Sequence, residues 1–71
     1  MASETTLAVY QFIKTYQKKH KYPPTLREIG EGCYLSITAV TRHLDHLEGA
    51  GKLTREPGRA RSITLLDDDE A

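Results

Sequence analysis

With 71 residues, the chain has room for one domain, since a chain of this size buries only about 60% of the surface its unfolded form exposes. Hydrophobic residues make up 38% and charged residues 28%, as in ordinary globular proteins, and no apolar run approaches the ~20 residues of a membrane span. The N-terminal "MASETT" has neither the basic region nor the apolar core of a secretory signal. A single cysteine makes no internal disulfide, so the expected setting is a reducing cytoplasm, bacterial or phage-encoded. The formal net charge is zero, yet the ten Lys and Arg all fall within residues 1–66, whereas four of the ten acidic residues, Asp67, Asp68, Asp69 and Glu70, sit at the C-terminal end. Residues 1–66 therefore carry +4 and form the expected folded domain.

In "SETTLAVYQFIKTYQKKH", Val9, Phe12, Ile13 and Tyr16 make the stripe of an amphipathic helix, with Ser3 or Thr5 as N-cap and Glu4 in the first turn. Lys18, Lys19, His20 and Lys21 complement the negative end of its dipole. "KYPPT" ends the helix, because Pro23 and Pro24 lack donors and Pro23 drives Tyr22 out of the helical region. The next four residues, "TLRE", form a capping box of Thr25 with Glu28. They open a short second helix that buries Leu26 and Ile29 and ends by Gly32. Its two glycines, Gly30 and Gly32, each cost ~1 kcal/mol against alanine in a helix interior.

After "CYL", Ser36 is the N-cap of a third helix. At ~100° per residue, Ile37, Val40, Leu44 and Leu47 fall in one sector, the expected inward face, while Thr38, Arg42 and Asp45 point away and Ala39 and Thr41 lie at the borders. "GAG" ends it, with Gly51 as the C-cap candidate. The remaining "KLTREPGRARSITLL" switches to period two, Leu53 and Arg55, then Ile63 and Leu65 around a turn at "EPGRA", the pattern of a β-hairpin. Three helices followed by a hairpin describe a mainly α, three-helix winged helix-turn-helix. Residues 67–71 read as a disordered, solvated acidic tail; the sharper reading is a strand that competes with nucleic acid for the basic surface.

Two helices joined by a tight turn suit double-stranded DNA, with the second helix in the major groove and its N-terminal residues at the base edges. Its leading end carries short side chains, as a groove about 12 Å wide requires. Ser36 and Thr38 offer hydrogen bonds, and Ala39 or the Thr38 methyl suits a thymine methyl. Arg42 is the candidate for reading guanine; the competing account is an intrahelical pair with Asp45, worth ~0.2–0.5 kcal/mol. Asp45 is expected to orient Arg42 or to sit at the groove edge. On the hairpin, Arg55, Arg59 and Arg61, with Lys52 before them, are placed for phosphates or the minor groove, against the plainer role of solubilising charge. Thr25 and Arg27, at the start of the second helix, add a phosphate site.

No catalytic, cofactor or metal site assembles. Cys33 reads as a small core residue rather than a nucleophile. His43 and His46 are three apart but lack a third ligand, and His43 is expected to pack on the first helix or a wing strand. Tyr22 and Tyr34 are assigned to core or turn packing.

From about Ser3 to Leu66 the chain resembles the N-terminal DNA-binding domain of LexA-type repressors. The matching pieces are "YPPTLREIG", the serine seven residues before "HL" in "SITAVTRHLDHLE", the "GKL" that opens the wing and the "RSITLL" that closes it. The resemblance implies a winged helix that reads an operator, with Ser36, Thr38, Ala39, Thr41 and Arg42 at the family's base-contacting positions. Two departures accompany it. The family's turn glycine is displaced, Gly32 preceding "CYL", and the family's C-terminal half, with its serine-lysine self-cleavage site and main dimer interface, is missing. The expected function is operator binding by a repressor module, not an enzyme, with two copies on adjacent half-sites as the route to a homodimer. The rival is a winged-helix adaptor for a protein partner, which the neutral total charge and acidic tail would suit.

Overall fold

A computed structural model describes residues 3–56 and 58–66. The acidic run 67–71 and Pro57 of the expected wing turn lie outside the described residues. Three helices, α1 (Glu4–His20), α2 (Leu26–Cys33) and α3 (Ile37–Gly49), precede strands β1 (Leu53–Thr54) and β2 (Thr64–Leu65). The strands pair antiparallel, Leu53 opposite Leu65 and Thr54 opposite Thr64. No described helix is long and apolar enough to cross a membrane.

Each helix begins at a polar cap. Ser3 Oγ accepts from the Thr6 N–H at 3.1 Å, and Ser36 Oγ accepts from the Ala39 N–H at 3.1 Å. At α2 the capping box is complete: the Glu28 N–H donates to Thr25 Oγ1 at 3.1 Å and the Thr25 N–H donates to Glu28 Oε1 at 2.8 Å. These bonds satisfy donors that a helix start leaves without intrahelical partners. At the end of α3, the Gly51 N–H reaches Glu48 O at 3.0 Å and the Lys52 N–H reaches Leu47 O at 2.9 Å. With Gly51 at φ 78, this is a Schellman ending, in which Ala50 is the cap and Gly51 the left-handed residue just beyond it.

The core gathers where all three helices meet the first strand. Val9 and Ile13 of α1, Ile29 of α2, Val40 and Leu44 of α3, and Leu53 of β1 have no exposed surface; each contributes roughly 1.5–3 kcal/mol by leaving water. Tyr10 and Thr6 join them on α1, though neither lies on the stripe the sequence suggests. Thr6 is buried because it bonds rather than because it is apolar: its hydroxyl lies 2.8 Å from His43 Nδ1 and 3.0 Å from Ser3 Oγ. His43 thus packs on α1, one of its two expected neighbours. Cys33 packs half-buried against the core, and burial pushes its thiol pKa up, which disfavours the thiolate a nucleophile needs.

Three expectations need correction at the corner between α2 and α3. Ile37 shares the wheel sector of Val40, Leu44 and Leu47 yet is 48% exposed; it is the first residue of α3, at the edge of the packed helices rather than among them. Tyr34, assigned to packing, is 92% exposed. It caps α2 in the left-handed region, φ 60, with its N–H on Gly30 O. The helix therefore runs to Cys33 rather than ending by Gly32. Gly30 and Gly32 serve close approach instead: an added Cβ would meet Leu35 O at 2.6 Å from Gly30, and the Phe12 ring at 2.3 Å from Gly32. The helix-propensity cost of both glycines is offset by packing that a methyl group would block.

Candidate nucleic-acid interface

The α2–α3 corner turns the leading end of α3 outward. Ser36, Thr38 and Arg42 are exposed, and Ala39 and Thr41 are half-buried beside them. Ser36 Oγ is occupied as an acceptor by the Ala39 N–H, which leaves its hydroxyl proton to donate outward. Thr38 and Arg42, four residues apart, form one line along the helix and carry no ion pair among the described residues. The competing pair of Arg42 with Asp45 is not formed, and Asp45 does not orient Arg42: Asp45 bonds the Arg55 guanidinium, whose Nε also donates to Glu48 Oε1 at 3.1 Å. Arg55 thereby neutralises the two carboxylates on α3 that would repel a polyanion, and ties the base of the wing to α3.

Arg61 forms a second tie. It donates to Glu28 Oε1 and Oε2 at 3.0 and 2.9 Å, to the Pro23 carbonyl at 3.0 Å and to Tyr16 Oη at 3.5 Å. Its guanidinium also lies 4.6 Å from the centre of the Tyr22 ring, an arrangement that favours a cation over an aromatic face. Tyr22 is accordingly a docking plate for the wing as well as a turn residue. The backbone of Arg61 is left-handed, φ 52, and a bidentate guanidinium–carboxylate pair of this geometry holds it there. Glu28 in turn serves the α2 cap and the wing together. The Arg61 hydrogen bonds, followed by the Thr25 N–H, lower its pKa from 4.5 to about 2.

Of the three wing arginines, then, Arg55 and Arg61 face protein carboxylates, and Arg59 faces solvent. Its one partner among the described residues is Glu56, at 3.3 Å with both side chains largely exposed, a pair worth ~0–1 kcal/mol. Sequence spacing placed all three arginines on a hairpin but carried no signal for which carboxylates the fold brings to them, since Arg61 and Glu28 are 33 residues apart.

The wing and the start of α2 enclose a groove lined by Thr25, Arg27, Arg55, Arg59 and Arg61. Arg27 also borders a shallow hollow with Tyr34, Ser36 and Ile37. One surface thus runs from the wing, past the capped end of α2, to the leading end of α3, with Arg27 at the junction. Thr25 is half-buried in its capping box, and Arg27 is exposed. Lys52 is not part of this surface; it lies exposed beside Tyr10 and His46 on the α1 side. Among the described residues, no group of three His, Cys, Asp or Glu side chains converges on a point that would hold a metal ion.

A corner-turned helix flanked by a wing is the arrangement found in groove-reading proteins, and comparison with known sequences agrees. The chain is 46% identical over 65 residues to the LexA repressor of Listeria welshimeri, a stretch that covers 89% of this chain and 32% of that one. It is 42% identical over 69 residues to the LexA repressor of Bacillus licheniformis, covering 96% and 33%. The chain spans about a third of the length of these relatives. Residues 3–62 match the family described as the LexA DNA binding domain, so the chain belongs to that family of winged helix-turn-helix domains.

Proposed function

We propose that the protein binds double-stranded DNA sequence-specifically as the operator-reading module of a transcriptional repressor. One observation carries this reading: the polar face of α3 at Ser36, Thr38 and Arg42 is exposed directly after the α2–α3 corner, and Arg42 carries no ion pair among the described residues. In this reading α3 enters the major groove. Arg42 reads a base, with guanine as the best geometric match. Ser36, Thr38, Ala39 and Thr41 set local shape and hydrogen bonding. Thr25, Arg27 and Arg59 hold phosphates along the groove beside the wing. Arg55 and Arg61 act by fixing the wing. A lone module contacts one half-site and binds weakly, near the ~10⁻⁴–10⁻⁶ M of non-specific contacts. Two copies on adjacent half-sites then supply the remaining affinity. The working compartment is the cytoplasm.

The test is selection of bound duplexes from a random pool, repeated with Arg42→Ala. The expected result is an enriched motif that loses its preference at one base position in the variant; uniform weakening would instead make Arg42 a phosphate contact. A pool that yields no enriched motif refutes sequence-specific reading.

A further inference from the structure

Tyr34 is a costly residue for the isolated fold. It stands at φ 60, a conformation disfavoured for any residue with a Cβ, and it leaves a large ring 92% exposed. Among the described residues its side chain has no hydrogen bond and no ring contact. Glycine would meet the backbone requirement of a helix end without strain. Ile37, three residues on, is also exposed, and both border one hollow with Arg27 and Ser36. An aromatic side chain that strains the backbone and returns nothing to the fold points to an intermolecular role, and its place two residues before the N-cap of α3 says with what.

Resting on the DNA-binding reading above, we infer that Tyr34 is a backbone contact at the edge of the major groove. Its ring lies against a deoxyribose and its hydroxyl donates to a phosphate oxygen, with Arg27 supplying charge alongside. Polar side chains flanking a recognition helix commonly make such contacts, which fix orientation without reading sequence.

The test uses Tyr34→Gly and Tyr34→Phe in the full chain. It employs the duplex that the wild type selects from a random pool and an unselected duplex of equal length. Tyr34→Gly is expected to raise the thermal midpoint by about 2–6 °C, since it removes the left-handed strain. It is also expected to weaken both duplexes by about tenfold. Tyr34→Phe leaves the midpoint unchanged and weakens both by about fivefold, the worth of one hydrogen bond. A stabilised variant that binds less well cannot owe its defect to misfolding. Binding by Tyr34→Gly equal to wild type overturns the inference, as does a loss confined to the selected duplex. Tyr34→Phe matching wild type overturns the phosphate assignment. A wild-type chain that binds neither duplex overturns the DNA-binding reading itself, and the inference with it.

Discussion

The pairing of the wing arginines fixes how steeply DNA affinity should fall with salt. Each phosphate neutralised by a side chain contributes about −0.9 to the slope of log affinity against log salt on duplex DNA. If all six cations named for the interface, Arg27, Arg42, Lys52, Arg55, Arg59 and Arg61, met phosphates, the slope would be about −5.4. Arg61 is held by both oxygens of Glu28, and Arg55 by Asp45 and Glu48. Taking either to a phosphate would leave its carboxylates unpaired beside a polyanion. Lys52 lies on the α1 side, off this surface, and Arg42 is assigned to a base, so Arg27 and Arg59 remain for phosphates and the expected slope is about −1.8. Fluorescence anisotropy of a labelled duplex over a salt series measures it. Arg59→Ala should flatten the slope by about 0.9. Arg61→Ala should lower affinity at every salt concentration with the slope unchanged, because the loss comes from a misdirected wing. A wild-type slope of about −3.6 or steeper, or a flattening by Arg61→Ala equal to that of Arg59→Ala, would refute the assignment of Arg61 as a wing anchor.

Two further outcomes follow from the same contacts. The folded-state pKa of Glu28, about 2, lies below its ordinary value of 4.5, so its stabilising contribution is complete above pH 4.5 and is lost as pH falls towards 2. Thermal unfolding across that window should show a shallower loss in Glu28→Gln than in wild type, and parallel curves would exclude the coupling of cap and wing. Gly30→Ala places a Cβ 2.6 Å from Leu35 O, an oxygen that cannot easily retreat because the Leu35 N–H is bonded to Gly30 O at 2.8 Å. The clash, ~1–3 kcal/mol, outweighs the ~1 kcal/mol gained in helix propensity, so urea unfolding should show a net loss of up to ~2 kcal/mol. A Gly30→Ala variant as stable as wild type would mean the corner is looser than described.

What the sequence made legible and what it hid divide by range. The caps at Ser3, Thr25 and Ser36, the break at Pro23 and Pro24, and the buried stripe of Val40, Leu44 and Leu47 rest on signals within a few residues, and the order of elements followed from them. Ile37 misled because a helical wheel specifies direction but not how far along the helix the neighbouring elements extend. Gly30 and Gly32 looked like helix defects because their purpose, clearance for the Leu35 carbonyl and the Phe12 ring, depends on chain segments that only the fold brings near. The arginines show the same limit with more consequence for function. "REPGRAR" announces a basic wing, and its charge density is equally consistent with a surface offered whole to phosphate. The partners that commit Arg55 and Arg61 lie on α3 and α2, so the wing presents one arginine outward and uses two to hold itself against the helices that it must align with. Geometry at the groove is thereby set before DNA arrives: ordering the wing costs little at binding, and the cations given up as direct contacts are returned as preorganisation.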